Sequence, residues 1–359
     1  MTLCLKALSQ LVQAGCLVGL RGGFIRGEDT KKLMEVCLAL CNAVRTADGI
    51  GWYLRKLFTP REETRIIPMK ALSFETNQSL VGASLPDSLL EITLGGDVNE
   101  SLVGVILPHS LQKLTFGWNF NQPLAGVGLP DTLQELTFGY HFNQPLVGVT
   151  FPGSLEVLSF GYRFNQPLVG VTFPGSLEVL AFGYRFNQPM VGVSLPGSLQ
   201  VLRFGHDFNR RLVGVRLPRN LQELTFGTWF NQPLVGVSLP GGLQELTFGH
   251  GFSQPLAGVN LPGSLRNLQE LTFGHKFNQP LDGASLPGSL QELTFGQKFN
   301  QSLGGASLPG SLQELTFGHG FNQPLAGVNL PGSLRVLRIS HSYAEPLGDL
   351  NLTCEVVTY

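Results

Sequence analysis

The sequence predicts a mainly β solenoid of about thirteen 22-residue coils, with a parallel sheet along one face. Three observations carry that expectation. Asn121, Asn143, Asn165, Asn187, Asn209 and Asn231 recur at intervals of 22 residues. Pro130, Pro152, Pro174 and Pro196 stand in the same register, where each would break a continuous helix. A unit this short cannot bury its own apolar side, so its neighbours must stack on it.

The series extends in both directions. Asn77 and Asn99 precede it, Ser253 takes the next slot, and three residues are inserted around Arg266 before Asn278, Asn300 and Asn322 resume the period. Ala344 closes the array, which runs from about Met69 to Leu347. Each unit reads L-x-x-L-x-F-G-x-x-F-N-Q-P-L-x-G-V-x-L-P-G-S. Leu-Thr-Phe is a short strand, its apolar side chains inward and its threonine outward. The glycine after it, Gly139 and its equivalents, ends the strand, and the return side should be extended or tightly turned. Stacking at about 4.8 Å then builds internal columns. Phe116, Phe138, Phe160, Phe182, Phe204 and Phe226 form one, and Phe120, Phe142, Phe164, Phe186, Phe208 and Phe230 a second. The asparagine should point inward and satisfy backbone groups of its own and the next coil.

Residues 1–66 lack the repeat and read as a small α-helical N-terminal cap. Cys4, Leu5, Leu8, Leu11 and Val12 fit one helical face; Leu33, Val36, Cys37, Leu40, Cys41 and Val44 fit another. A cap of this kind would cover the open end of the apolar columns; a recruiting module is the alternative. Residues 67–347 are the solenoid and 348–359 a tail that covers its last coil.

Composition narrows the function. Net charge is −1, which gives no case for nucleic acid or an anionic membrane surface. No apolar run is long enough to span a bilayer. Four of the five cysteines fall in the first 41 residues at spacings that fit neither a disulfide framework nor a zinc site, so reduced thiols in the cytoplasm are expected. The glycines recur as turn punctuation, and no phosphate loop or catalytic triad can be read by spacing. The glutamates repeat along the array instead of clustering in a cleft, as carbohydrate cleavage would need. His206, His250, His275, His319 and His341 share one outward column, yet two imidazoles without a third ligand make a poor metal site. No enzymatic role, cofactor or metal is expected. A regular threonine array raises the thought of an ice-binding face, which the parallel glutamates oppose.

The string Phe142-Asn143-Gln144-Pro145, followed by Gly148-Val149 and a phenylalanine–proline pair, recurs almost verbatim and resembles the FNIP repeat. Glutamine stands where that family has isoleucine. The resemblance covers about three-quarters of the chain. It implies a leucine-rich-repeat-like solenoid and a role in protein–protein contact, and it implies no chemistry.

Outward positions are where the copies differ. The first column beside the strand reads Glu91, Lys113, Glu135, Val157, Val179, Val201, then Glu223, Glu245, Glu270, Glu292 and Glu314. Two residues on, Ser159, Ala181 and Arg203 interrupt a run of threonines. The aromatic slot reads Trp118, Tyr140, Tyr162 and Tyr184, with Arg163 and Arg185 beside it. Aromatic and arginine side chains around an apolar centre have the composition of interaction hot spots. The expected partner-binding surface is therefore Trp118, Tyr140, Val157, Tyr162, Arg163, Val179, Tyr184, Arg185, Val201 and Arg203. The functional expectation is a monomeric, non-enzymatic scaffold binding another protein along its strand face. The alternative is a structural protein whose coils self-assemble end to end.

Overall fold

Most of the short strands follow from three residues: a glutamate or valine facing out, a leucine facing in, and a third residue, usually threonine, facing out. The computed structural model describes residues 70–74, 80–83, 85–259, 261, 267–347 and 354–359. The helices expected within 1–66, and Cys4, Cys16, Cys37 and Cys41, lie outside the described residues.

Cα packing divides the chain into two units. The first holds the described residues up to Tyr140 together with Gly148–Leu155. It contains β1 (Ala71–Phe74), β2 (Glu91–Leu94), β3 (Lys113–Thr115) and β4 (Glu135–Thr137), paired in sequence order and all parallel. The second holds His141–Val147 and Glu156–Tyr359. Its strands are β5 (Val157–Ser159), β6 (Val179–Ala181), β7 (Val201–Arg203), β8 (Glu223–Thr225), β9 (Glu245–Thr247), β10 (Glu270–Thr272), β11 (Glu292–Thr294), β12 (Glu314–Thr316), β13 (Val336–Ile339) and β14 (Glu355–Thr358). They too pair in parallel, each with the next.

The strands begin one residue earlier than expected: they read Glu-Leu-Thr, with the phenylalanine just beyond. That phenylalanine stays in the ladder all the same, since Phe204 N–H donates to Thr225 O at 2.9 Å. The glycine that follows lies hard against the coil before it. At Gly183 a Cβ would fall onto the carbonyl oxygen of Gly161 in the coil before, so no other residue permits the stacking. The return side is held by turns. Gly170 adopts φ +83°, and Val171 N–H donates to Leu168 O at 3.1 Å. The Pro-Gly-Ser corner is pinned between coils, with Ser198 Oγ donating to Leu177 O at 2.7 Å.

Both phenylalanine columns form. In the second unit the Phe160, Phe182, Phe204, Phe226 and Phe248 rings stack with centroids 5.5–5.9 Å apart. The Phe142, Phe164, Phe186 and Phe208 rings stack at 6.0–6.1 Å. Within one coil the two columns touch, as Phe182 and Phe186 do at 3.9 Å. Near-parallel offset stacking suits the ring quadrupole and adds about 0.5–1.5 kcal/mol per pair to the burial itself. The insertion stretches the interval between β9 and β10 without shifting their register: Glu245 still faces Glu270. The tail contributes β14, whose Glu355 pairs with Val336.

Candidate interaction surface

Register in the ladder places the variable outward residues. Val157, Val179 and Val201 face one another in turn across β5, β6 and β7, all half-buried. Beyond the strand glycine, the Tyr162 and Tyr184 rings stack at 4.4 Å, and Tyr184 stacks on His206 at 3.9 Å. The Arg185 guanidinium lies 5.8 Å from the Tyr162 ring centroid and 5.7 Å from that of Tyr184. The same guanidinium reaches Asp207 at 3.3 Å. His206 ties the group together: its Nδ1 lies 2.7 Å from Asp207 Oδ1 and its Nε2 3.1 Å from Tyr184 Oη. Arg203 is already committed, forking onto Glu223 through Nε at 2.7 Å and Nη2 at 2.8 Å. Arg163 is exposed beside Tyr162 in sequence.

Trp118 and Tyr140 belong to the first unit. Their rings stack at 4.1 Å, and Trp118 stays 56% exposed. The ladder thus aligns Val157, Val179 and Val201 along the strands, while Tyr162, Tyr184 and Arg185 cluster beyond the strand glycine in the second unit. Trp118 and Tyr140 repeat its aromatic part in the first.

The glutamates of β8 to β12 stand in register, Glu223 against Glu245, then Glu270, Glu292 and Glu314. Arginines pair with the two ends, Arg203 with Glu223 and Arg338 with Glu314 at 3.5 Å. The Arg203 fork holds the Glu223 carboxyl below its ordinary value. In the middle the sign reverses: burial, then Glu292 and Glu245, push the Glu270 carboxyl up.

The asparagines do not point inward. Asn165, Asn187 and Asn209 are half-buried on the coil flank, and Asn231 and Asn300 are exposed. Each side-chain oxygen accepts the backbone N–H of the next copy: Asn165 from Asn187 at 2.9 Å, Asn187 from Asn209 at 3.0 Å, Asn231 from Ser253 at 2.9 Å. The phenylalanines fill the interior, so the amide's remaining place is the seam between coils.

The FNIP Repeat family pattern matches residues 74–118 and 99–141, overlapping segments from 142 to 298, and residues 299–342. The chain belongs to the FNIP repeat family. Among solved structures it is similar to CroV588, described as a novel circular LRR protein, at 34% identity and a TM-score of 0.64 over 78% of this chain and 48% of that one. It therefore spans about half the length of CroV588. YopM from Yersinia enterocolitica WA-314 aligns at 19% identity and a TM-score of 0.39, over 71% of this chain and 65% of that one. Pneumococcal vaccine antigen PcpA aligns at 15% identity and a TM-score of 0.21, over 84% and 82%. No curated protein matches the chain significantly. The fold is leucine-rich-repeat-like and mainly β.

The FNIP frame explains the glutamine in place of isoleucine. Gln188 Nε2 donates to both Asn165 O at 3.0 Å and Asn165 Oδ1 at 3.1 Å, so it reinforces the seam. In the histidine column His250 and His275 stack at 4.3 Å. No group of three or more His, Cys, Asp or Glu side chains is placed to hold a metal ion among the described residues. No helix among them is long and apolar enough to cross a membrane.

Two features escape a reading of the repeat alone. Val147, Val169, Val191, Val213 and Val235 form an exposed ridge on the return side. Val169, Val191 and Val213 are each followed two residues on by a buried valine, Val171, Val193 and Val215, and only the turn geometry tells the two sets apart. An open cleft of about 620 Å³ is lined by Trp229, Asn231, Gly251, Ser253, Lys276 and Lys298, with Asn209 at its edge. Its sequence signal is the slot after the histidine column, which changes from Trp229 to Gly251 to Lys276.

Proposed function

We propose that this FNIP repeat chain is a non-enzymatic scaffold that binds another protein along the strand face of its repeats, as a monomer in the cytoplasm. The docking centre is the surface of β5 to β7. One observation carries the reading: Tyr162, Tyr184 and His206 stack with the Arg185 guanidinium beside them, and the strands that lead into them align three valines. Such a surface is ordered before a partner arrives, so little side-chain entropy is lost on binding. Tyrosine and arginine around an apolar strip are the residues that dominate binding energy at protein interfaces. Membership of a leucine-rich-repeat-like family supports the same reading.

The test is a quantitative comparison of what the full chain and a Tyr162→Ala, Tyr184→Ala, Arg185→Ala variant capture from the same extract. The triple variant should lose the partners held by the parent while its circular dichroism and melting temperature stay within error. Equal capture by both would reject the patch and turn attention to the valine ridge from Val147 to Val235.

A further inference from the structure

The cleft beside β8 to β11 has a chemistry the tyrosine patch lacks. In successive coils the slot after the histidine column holds Asp207, Trp229, Gly251, Lys276 and Lys298. Gly251 leaves a gap between a large aromatic ring and two lysines. Lys276 spans it, its Nζ 5.0 Å from the centroid of the Trp229 ring. Ser253, shorter than the asparagine of the other coils, lowers the floor, and Asn231 lines one side.

Charge says what fits. Lys113, Arg185, Arg203 and Arg338 each pair with a carboxylate. Lys276 and Lys298 make no ion pair among the described residues. Next to them, burial first and then the neighbouring His275, Lys276 and Lys298 press the His250 imidazole toward its neutral form. The cleft is thus a concentration of uncompensated positive charge with an apolar wall.

We propose that the cleft receives an anionic side chain of the protein partner, an aspartate, a glutamate or a phosphorylated residue, held by Lys276 and Lys298 with Trp229 against its neighbour. This rests on the scaffold reading and names the partner's chemistry. A long polyanion is disfavoured, because Glu245, Glu270 and Glu292 run along the same coils and the chain carries a net charge of −1. A short acidic segment that seats one anionic group in the cleft meets far less of that repulsion than a long polyanion, since exposed charges beyond about 10 Å are screened.

Defined probes separate this from the tyrosine patch. Labelled hexaglutamate, hexalysine and hexathymidine are titrated into the full chain at low salt and followed by fluorescence anisotropy. Hexaglutamate should bind, Lys276→Gln with Lys298→Gln should weaken it about tenfold or more, and Lys276→Arg with Lys298→Arg should restore it. The Tyr162, Tyr184 and Arg185 triple variant should bind hexaglutamate like the parent, whatever it does to captured partners. Absent hexaglutamate binding, or an affinity unchanged by the glutamine substitutions, overturns the site. Tighter binding of hexathymidine than of hexaglutamate overturns the assignment to a protein partner.

Discussion

Asn187 shows how a residue can be indispensable to a fold without entering its core. Its side-chain oxygen accepts the N–H of Asn209, and its own N–H is accepted by Asn165, so each copy is both served by one neighbour and serves the other. Replacing it with Ala leaves the Asn209 N–H without that acceptor on a half-buried seam. The expected loss is about 1 kcal/mol, toward the lower end of what an unsatisfied group costs, since water reaches part of the seam. Asn187→Asp keeps an acceptor and should recover most of the loss. The exposed Thr172 serves as reference, with Thr172→Ala expected within about 0.5 kcal/mol of the parent. Chemical denaturation of the three variants decides it; equal midpoints for Asn187→Ala and Thr172→Ala would remove the seam from the account. The spacing made the asparagine visible as structural, but not its direction. Direction depends on how much room two phenylalanines leave inside a coil.

Strands three residues long owe their existence to repetition, and the same repetition aligns their charges. Glu245, Glu270 and Glu292 stand opposite one another at strand spacing, a repulsion of about 0.8 kcal/mol per pair in water before salt reduces it. The Glu270 carboxyl, raised above its ordinary 4.5 by burial and by its two neighbours, is the group to follow. Because the folded state prefers it protonated, its cost is fully present above the raised value and disappears as pH falls toward 4.5. Glu223 behaves oppositely: held down by Arg203, it stabilises above 4.5 and that contribution is lost only at lower pH. Glu245→Gln with Glu270→Gln should therefore raise the melting temperature at neutral pH by about 1–2 °C at low salt. The gain should shrink in high salt and as pH falls toward 4.5. A double variant less stable than its parent at neutral pH would mean that these carboxylates hold the strands together.

At the scale of the molecule, coils that each rest on near-copies of themselves should be removable in whole units. Excision of residues 167–188 joins Gln166 to Pro189 and restores the motif, so the phenylalanine and asparagine columns of the second unit close up in phase. That variant should fold with an unchanged circular dichroism spectrum per residue and a single cooperative transition. Excision of residues 167–177 alone puts the columns out of phase and should abolish that transition. If both variants fold equally well, the 22-residue period is not what specifies the stacking. The period, the prolines and the inward leucine and phenylalanine positions were legible in the chain, because a repeated unit must place the same residue in the same environment every time. What varies between copies was legible only as composition. Tyr162, Tyr184 and Arg185 read as a patch from their columns alone. That Arg203 is tied to Glu223, that the valines of the return side split into buried and exposed sets, and that Gly251 opens a cleft between Trp229 and Lys276 were decided by tertiary structure. Side-chain pairing across coils joins residues some twenty positions apart, at distances and angles set by turn geometry that the spacing does not encode.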